Sequence, residues 1–361
     1  MLKLGIASGD RISAKNSPDG NAHWGGAGWV RLGQYANRLH GDGFETYNGT
    51  LVWNKDRFSI DIMEGERHLV DVDIIYCQRL MHRGLEDHIK KAKAIGQIVI
   101  NDLDDWYWGL STENTAWRSS HPKTNPDENI NHYKGVLNSS TVVTVSTPYL
   151  ADRLKAFVHC PIVVLYNTID VSSFAPVEHT DSTVPVVGWV GSTAHRSGDL
   201  ETLRGIMAPL YNAGEIKLQH SGAHAYAPSV ASKWMLPDEA VATLPATDPE
   251  NYPSLLTMEV GIAPLNDIPF NHAKSDIKLL EYSAAGIPWV GSALSSYSQL
   301  VQDWGMGRVA KRPKDWIKHL KQLKDPNARS SEGASLREAV WKRDIGVGTK
   351  TMREFLESLS S

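Results

Sequence analysis

Lys278 and Glu281 lie three residues apart in segment 260–292, which reads as strand, loop, helix, strand. Ser275 stands where a helix N-cap belongs, Gly286 where that helix stops, and Pro288 opens the next strand. An ammonium and a carboxylate then emerge on one helical face near the positive end of the dipole. Free backbone N–H groups, Lys274 and Lys278 suit a diphosphate, and a carboxylate one turn further on suits a pair of ribose hydroxyls. A surface ion pair would give the same spacing.

A second group follows another apolar run: Gly188-Trp189-Val190-Gly191-Ser192-Thr193-Ala194-His195-Arg196. A glycine at a strand's end lets a phosphate approach the backbone, and Arg196 or His195 could meet its charge. Nearer the N-terminus, Gly25, Gly26 and Gly28 form a turn between the first strand and a helix. The run Asn101-Asp102-Leu103-Asp104-Asp105-Trp106-Tyr107-Trp108 places carboxylates and aromatics just past a strand, where open α/β sheets collect ligands. Asp104, Asp105 and Asp102 could orient an acceptor hydroxyl or take its proton; helix capping is the structural alternative.

Positioning these groups requires two parallel sheets covered by helices. Short β-branched runs at 2–8, 74–78, 97–101, 141–146 and 161–165 alternate with helical stretches at 29–39, 85–95 and 148–157. The pattern restarts with strands at 184–190, 216–220, 260–264 and 288–291. The expected organisation is an N-terminal domain over 1–176, a C-terminal domain over 177–345, and a last helix over 346–361 that crosses back to the first.

At 361 residues the chain is long enough for two cores, and 41% hydrophobic with 22% charged residues excludes disordered and fibrous classes. No apolar run approaches a membrane span, and the N-terminus lacks a secretory signal, so a cytoplasmic address is expected. Cys77 and Cys160 have no metal-type spacing. A net charge of −4 does not advertise a nucleic-acid binder, although Arg79, His82, Arg83, Lys90, Lys91 and Lys93 form a local basic cluster.

The segment Ser275-Asp276-Ile277-Lys278-Leu279-Leu280-Glu281-Tyr282-Ser283-Ala284-Ala285-Gly286-Ile287-Pro288 resembles the donor motif of GT-B glycosyltransferases, in the retaining, glycogen-synthase-like group. The resemblance implies two Rossmann-like α/β domains facing a central cleft, and transfer of a sugar from a UDP- or GDP-linked donor to a hydroxyl without a metal cofactor. It implies that Glu281 holds the donor ribose, that Lys278 faces the phosphates, and that the Gly25–Gly28 turn borders the cleft. Two positions depart from the pattern. Ala273 replaces a second glutamate, and Ser192 replaces the usual first arginine of the phosphate turn, leaving Arg196 as the candidate.

The acceptor stays open: a glycan, a protein, or a hydroxymethylated base in phage DNA, the last implying a phage-encoded enzyme. Two alternatives stand beside this reading. One is a metal-dependent GT-A enzyme using Asp102 and Asp104; the other is a non-catalytic nucleotide-sugar binding module.

Overall fold

The structure is a computed structural model that describes residues 1–12, 23–41, 43–62, 68–193 and 198–360. It divides into two units, one of residues 1–110, 116–167 and 345–361, the other of 111–115 and 168–344.

The first unit is built on six parallel strands: β1 (Leu2–Ser8), β2 (Phe44–Asn48), and, after a small antiparallel sheet of β3 (Thr50–Asn54), β4 (Arg57–Asp61) and β5 (Leu69–Asp71), the strands β6 (Ile74–Gln78), β7 (Ile98–Leu103), β8 (Val142–Val145) and β9 (Ile162–Val164). Their order is β9-β8-β7-β6-β1-β2. Strands β6 and β8 are buried along their whole length. That is why they read as continuous apolar runs instead of alternating ones. Topology reverses between β1 and β6, so their carboxyl ends frame a switch-point crevice.

The second unit repeats the plan with β10 (Val186–Val190), β11 (Lys217–Ala223), β12 (Val241–Pro245), β13 (Val260–Ala263), β14 (Trp289–Ser292) and β15 (Arg308–Ala310), ordered β12-β11-β10-β13-β14-β15 and parallel throughout. Its switch point lies between β10 and β13. The sites expected from sequence begin at the carboxyl ends of these two strands.

The boundary expected at 176/177 falls earlier, because Ile169, Val171 and Phe174 join the second unit's core. The last helix, Ile345–Ser358, belongs to the first unit, where Ile345, Met352 and Leu356 pack in the cluster of Leu4, Ile6 and Leu32.

Candidate functional site

In the second unit, helix α1 (Ile277–Ala284) follows β13 through a loop fixed from within. Asp199 Oδ1 accepts the Asn266 amide at 2.9 Å and the Asn271 side chain at 2.6 Å, and both carboxamide and carboxylate are buried. The helix starts one residue later than expected. Asp276 takes the N-cap place in front of Ile277, with Ser275 preceding it. Asp276 makes no capping bond; it receives two 3.0 Å hydrogen bonds from the Arg343 guanidinium. Burial raises its carboxyl above the ordinary range while Arg343 opposes the rise.

Lys278 and Glu281 meet on the expected face, and a third residue joins them. Lys278 Nζ donates to Glu281 Oε2 at 3.0 Å and to the Tyr252 hydroxyl at 2.6 Å, and that hydroxyl donates to Glu281 Oε2 at 2.8 Å. The two side chains are only 13% and 12% exposed, so this is no solvated surface pair. The ammonium lies 5.4 Å from the Trp189 ring and 5.2 Å from the Tyr252 ring. Tyr252 sits in a single 3-10 turn after a polar loop, where no periodicity singles it out.

Trp189 ties this cluster to the glycine turn, since its Nε1 donates to Gly191 O at 3.2 Å. Gly191 has φ of 124°, a backbone region that side chains rarely enter, and its amide donates to Ser221 O at 2.8 Å. Ser192 follows, half-buried; His195 and Arg196 lie outside the described residues. Beside the turn a cavity of 330 Å³ opens among Thr193, His220, His224, Ser229 and Thr243. Lys274 Nζ stands 4.5 Å from the Phe270 ring, and its carbonyl accepts from Ser296. Ala273 is fully enclosed, so this position offers a ligand no polar contact.

In the first unit the glycine turn is held by Asp10, which follows β1. Asp10 O accepts the Gly25 amide at 2.6 Å and Asp10 Oδ2 the Gly28 amide at 2.9 Å. A Cβ on Gly25 would lie 2.4 Å from the Asp10 carboxylate, whereas Gly26 has open space. The Gly28 amide is therefore already bonded inside the protein.

Asp102 is a correction. It is fully buried and receives Arg31 Nε at 3.0 Å, Arg31 Nη2 at 2.6 Å and Thr144 Oγ1 at 2.7 Å. Arg31 also donates to Leu165 O and Asn167 Oδ1. Sealed from solvent and held bidentately by Arg31, Asp102 is placed to fix β7 against the helix carrying Arg31 and has no surface to offer a ligand. The metal-dependent alternative loses one of its two ligands.

Asp104 and Asp105 stand past the end of β7, both half-buried. Asp104 Oδ1 is closed to solvent and has no hydrogen-bond partner among the described residues. Burial first, then Asp105, pushes its carboxyl up to about 7; Arg79 pulls it down, while Asp102 and Asp10 add to the rise. Trp106 is buried, and Trp108 stacks on Tyr133 with centroids 6.2 Å apart and planes 3° apart, so these aromatics pack a core.

Two parallel six-stranded sheets, each with polar groups gathered at its switch point, define the class: the GT-B fold, with two Rossmann-like domains. Sucrose-phosphate synthase from Thermosynechococcus elongatus superimposes with a TM-score of 0.66 at 15% identity, over 99% of each chain. A glycosyltransferase from Rickettsia africae gives 0.64 at 10% identity, over 100% of this chain and 99% of that one. Anabaena HepE, solved in complex with UDP, gives 0.58 at 13% identity, over 99% and 100%. No protein-family model and no curated protein matches the sequence.

Proposed function

We propose that this protein is a glycosyltransferase that moves a sugar from a nucleoside-diphosphate donor, UDP- or GDP-linked, to an acceptor hydroxyl. The observation that carries the reading is the Lys278–Glu281–Tyr252 cluster on the helix that follows β13, in a chain with the GT-B fold. Glu281 takes the ribose hydroxyls, and Lys278 with the start of α1 takes the diphosphate. As the donor's anomeric C–O bond breaks, the electron pair leaves with the nucleoside diphosphate, and these cationic groups stabilise it. The acceptor oxygen bonds to the anomeric carbon and its proton passes to Asp104. Retention of configuration, which the resemblance of the donor motif implies, requires the acceptor oxygen to enter on the face that the diphosphate leaves, and the cationic side chains supply positive charge at the diphosphate.

The test is calorimetric binding of UDP and GDP, with UDP release from UDP-glucose and GDP release from GDP-mannose, all in excess chelator. Glu281→Ala is expected to weaken binding of the preferred nucleotide by on the order of 1–3 kcal/mol, about 5- to 150-fold. Tyr252→Phe, which removes one partner each from Lys278 and Glu281, should weaken it less. Unchanged affinity in Glu281→Ala rejects the donor site. Tight nucleotide binding without turnover would support a binding module, the reading that buried Ala273 favours.

A further inference from the structure

The loop between β13 and α1 carries a one-turn helix, Pro269–His272, and is tied along its length to the chain leaving β14. At its start, Ser292 Oγ accepts the Leu265 amide at 2.8 Å and donates to Leu265 O at 3.0 Å. Near its end, Ser296 Oγ donates to Lys274 O. Between these ties His272 Nδ1 lies 3.1 Å from Ser295 Oγ, and His272 Nε2 lies 2.7 Å from Asp267 Oδ1. A carboxylate only accepts, so Nε2 is the donor to Asp267, and a neutral ring then accepts the Ser295 hydroxyl at Nδ1. Ser295 opens the helix Ser295–Trp304, so a row of Asp267, His272 and Ser295 spans the loops at the carboxyl ends of β13 and β14. The side chains of His272 and Asp267 are 30% and 80% exposed, which leaves the row within reach of a ligand.

We propose that this row, with Lys274 beside it, is the subsite for the transferred sugar and hydrogen-bonds the hydroxyls of a neutral hexose. This rests on the glycosyltransferase reading, which sets the direction of the donor. With the ribose at Glu281 and the diphosphate at the start of α1, about 6 Å further back along the helix, the sugar comes next, against residues 272–275. Ala273 is enclosed and apolar, so polar contacts there fall to its neighbours and to Ser295 across the loop. A sugar hydroxyl both donates and accepts, and the row offers both partners: the Asp267 carboxylate accepts, the Lys274 ammonium donates, and the Ser295 oxygen accepts. One carboxylate stands against one ammonium, a balance that suits an uncharged sugar. As an exposed ion pair alone, His272 and Asp267 would add little to stability.

The experiment compares, by titration calorimetry on the full chain, the affinities for UDP and GDP with those for UDP-glucose, UDP-galactose, UDP-N-acetylglucosamine and GDP-mannose. His272→Ala is expected to weaken binding of the preferred nucleotide sugar about tenfold, with Kd for the free nucleotide and Tm unchanged. His272→Gln keeps a side-chain N–H and should restore part of the loss. Asp267→Asn and Ser295→Ala should each weaken the nucleotide sugar by a smaller factor and again spare the free nucleotide. Asp267 is exposed, so its variant covers the case of His272→Ala failing to fold.

Wild-type affinity for the nucleotide sugar in folded variants overturns the proposal. So does an equal loss for nucleotide and nucleotide sugar, since the row would then serve only to hold the loop in front of α1. Wild-type protein that binds a free nucleotide and none of the four nucleotide sugars overturns it as well. Wild-type protein that binds none of the six compounds would instead reject the glycosyltransferase reading itself.

Discussion

Burial, with Asp105 beside it, pushes the Asp104 carboxyl up to about 7 from an ordinary value of 3.8, so between these values the native state keeps a proton that the unfolded chain has released. The sign of its contribution follows. The protonated carboxyl supports folding below about 3.8, and that support is lost as pH rises through about 7. A half-buried carboxylate whose Oδ1 is closed to solvent and has no partner among the described residues is costly to ionise, a cost that groups retained for their chemistry often carry. Asp104→Asn should therefore narrow the gap in unfolding free energy between pH 5 and pH 8 by on the order of 2 kcal/mol, measured by urea denaturation. The same variant should lower turnover by roughly a hundredfold or more, with the donor's dissociation constant nearly unchanged. Equal pH dependence in both proteins would mean that the carboxyl titrates normally. Near-wild-type turnover would take it out of the reaction.

At the scale of elements, the turn after β10 is tightly constrained within the second unit. Gly191 lies in a conformation reserved for glycine, and a Cβ on Gly222 would lie 3.1 Å from the Gly191 amide nitrogen. Gly191→Ala is expected to cost about 1–3 kcal/mol of stability and to displace the Trp189–Gly191 bond, weakening UDP binding along with it. Wild-type UDP affinity in a folded Gly191→Ala protein would detach this turn from the donor site. The turn was legible in the sequence because a glycine ends an apolar run, and so was α1, because its residues alternate between the core and the face that carries Lys278 and Glu281. Strands β2 and β12 were not. They are edge strands whose residues are largely half-buried or exposed, Phe-Glu-Thr-Tyr-Asn and Val-Ala-Thr-Leu-Pro, and they carry no apolar run. The roles of Asp10 and Tyr252 could not be read locally either. Each acts from a loop or a single turn, and its partners are brought near only by sheet order. Asp102 misleads for the same reason, since its partner Arg31 stands 71 residues away.

For the whole molecule, the question left by the sequence was whether so many cations around 79–93 make a polyanion surface. The fold engages four of the six with its own groups. Arg79 is paired with Asp10, His82 lies 2.8 Å from Glu128, Lys90 meets Glu86 at 2.5 Å, and Lys93 donates to the Ser140 carbonyl. Among the described residues the switch point of the first unit holds Asp10, Asp104 and Asp105 around the guanidinium of Arg79, an excess of carboxylate at the place proposed for the acceptor. A phosphate backbone approaching that point meets repulsion, and a chain with net charge of −4 supplies no long-range attraction to compensate. An acceptor offering neutral hydroxyls has no such barrier. Fluorescence anisotropy with a short DNA duplex at physiological salt should accordingly give no binding tighter than roughly 10⁻⁴ M, the weak edge of non-specific DNA affinity. Glycerol or a neutral disaccharide should accelerate UDP release from UDP-glucose under the same conditions. Micromolar binding to the duplex that falls steeply with added salt would contradict this. It would move the acceptor from neutral sugars to nucleic acid and require cations outside this cluster to hold the strand.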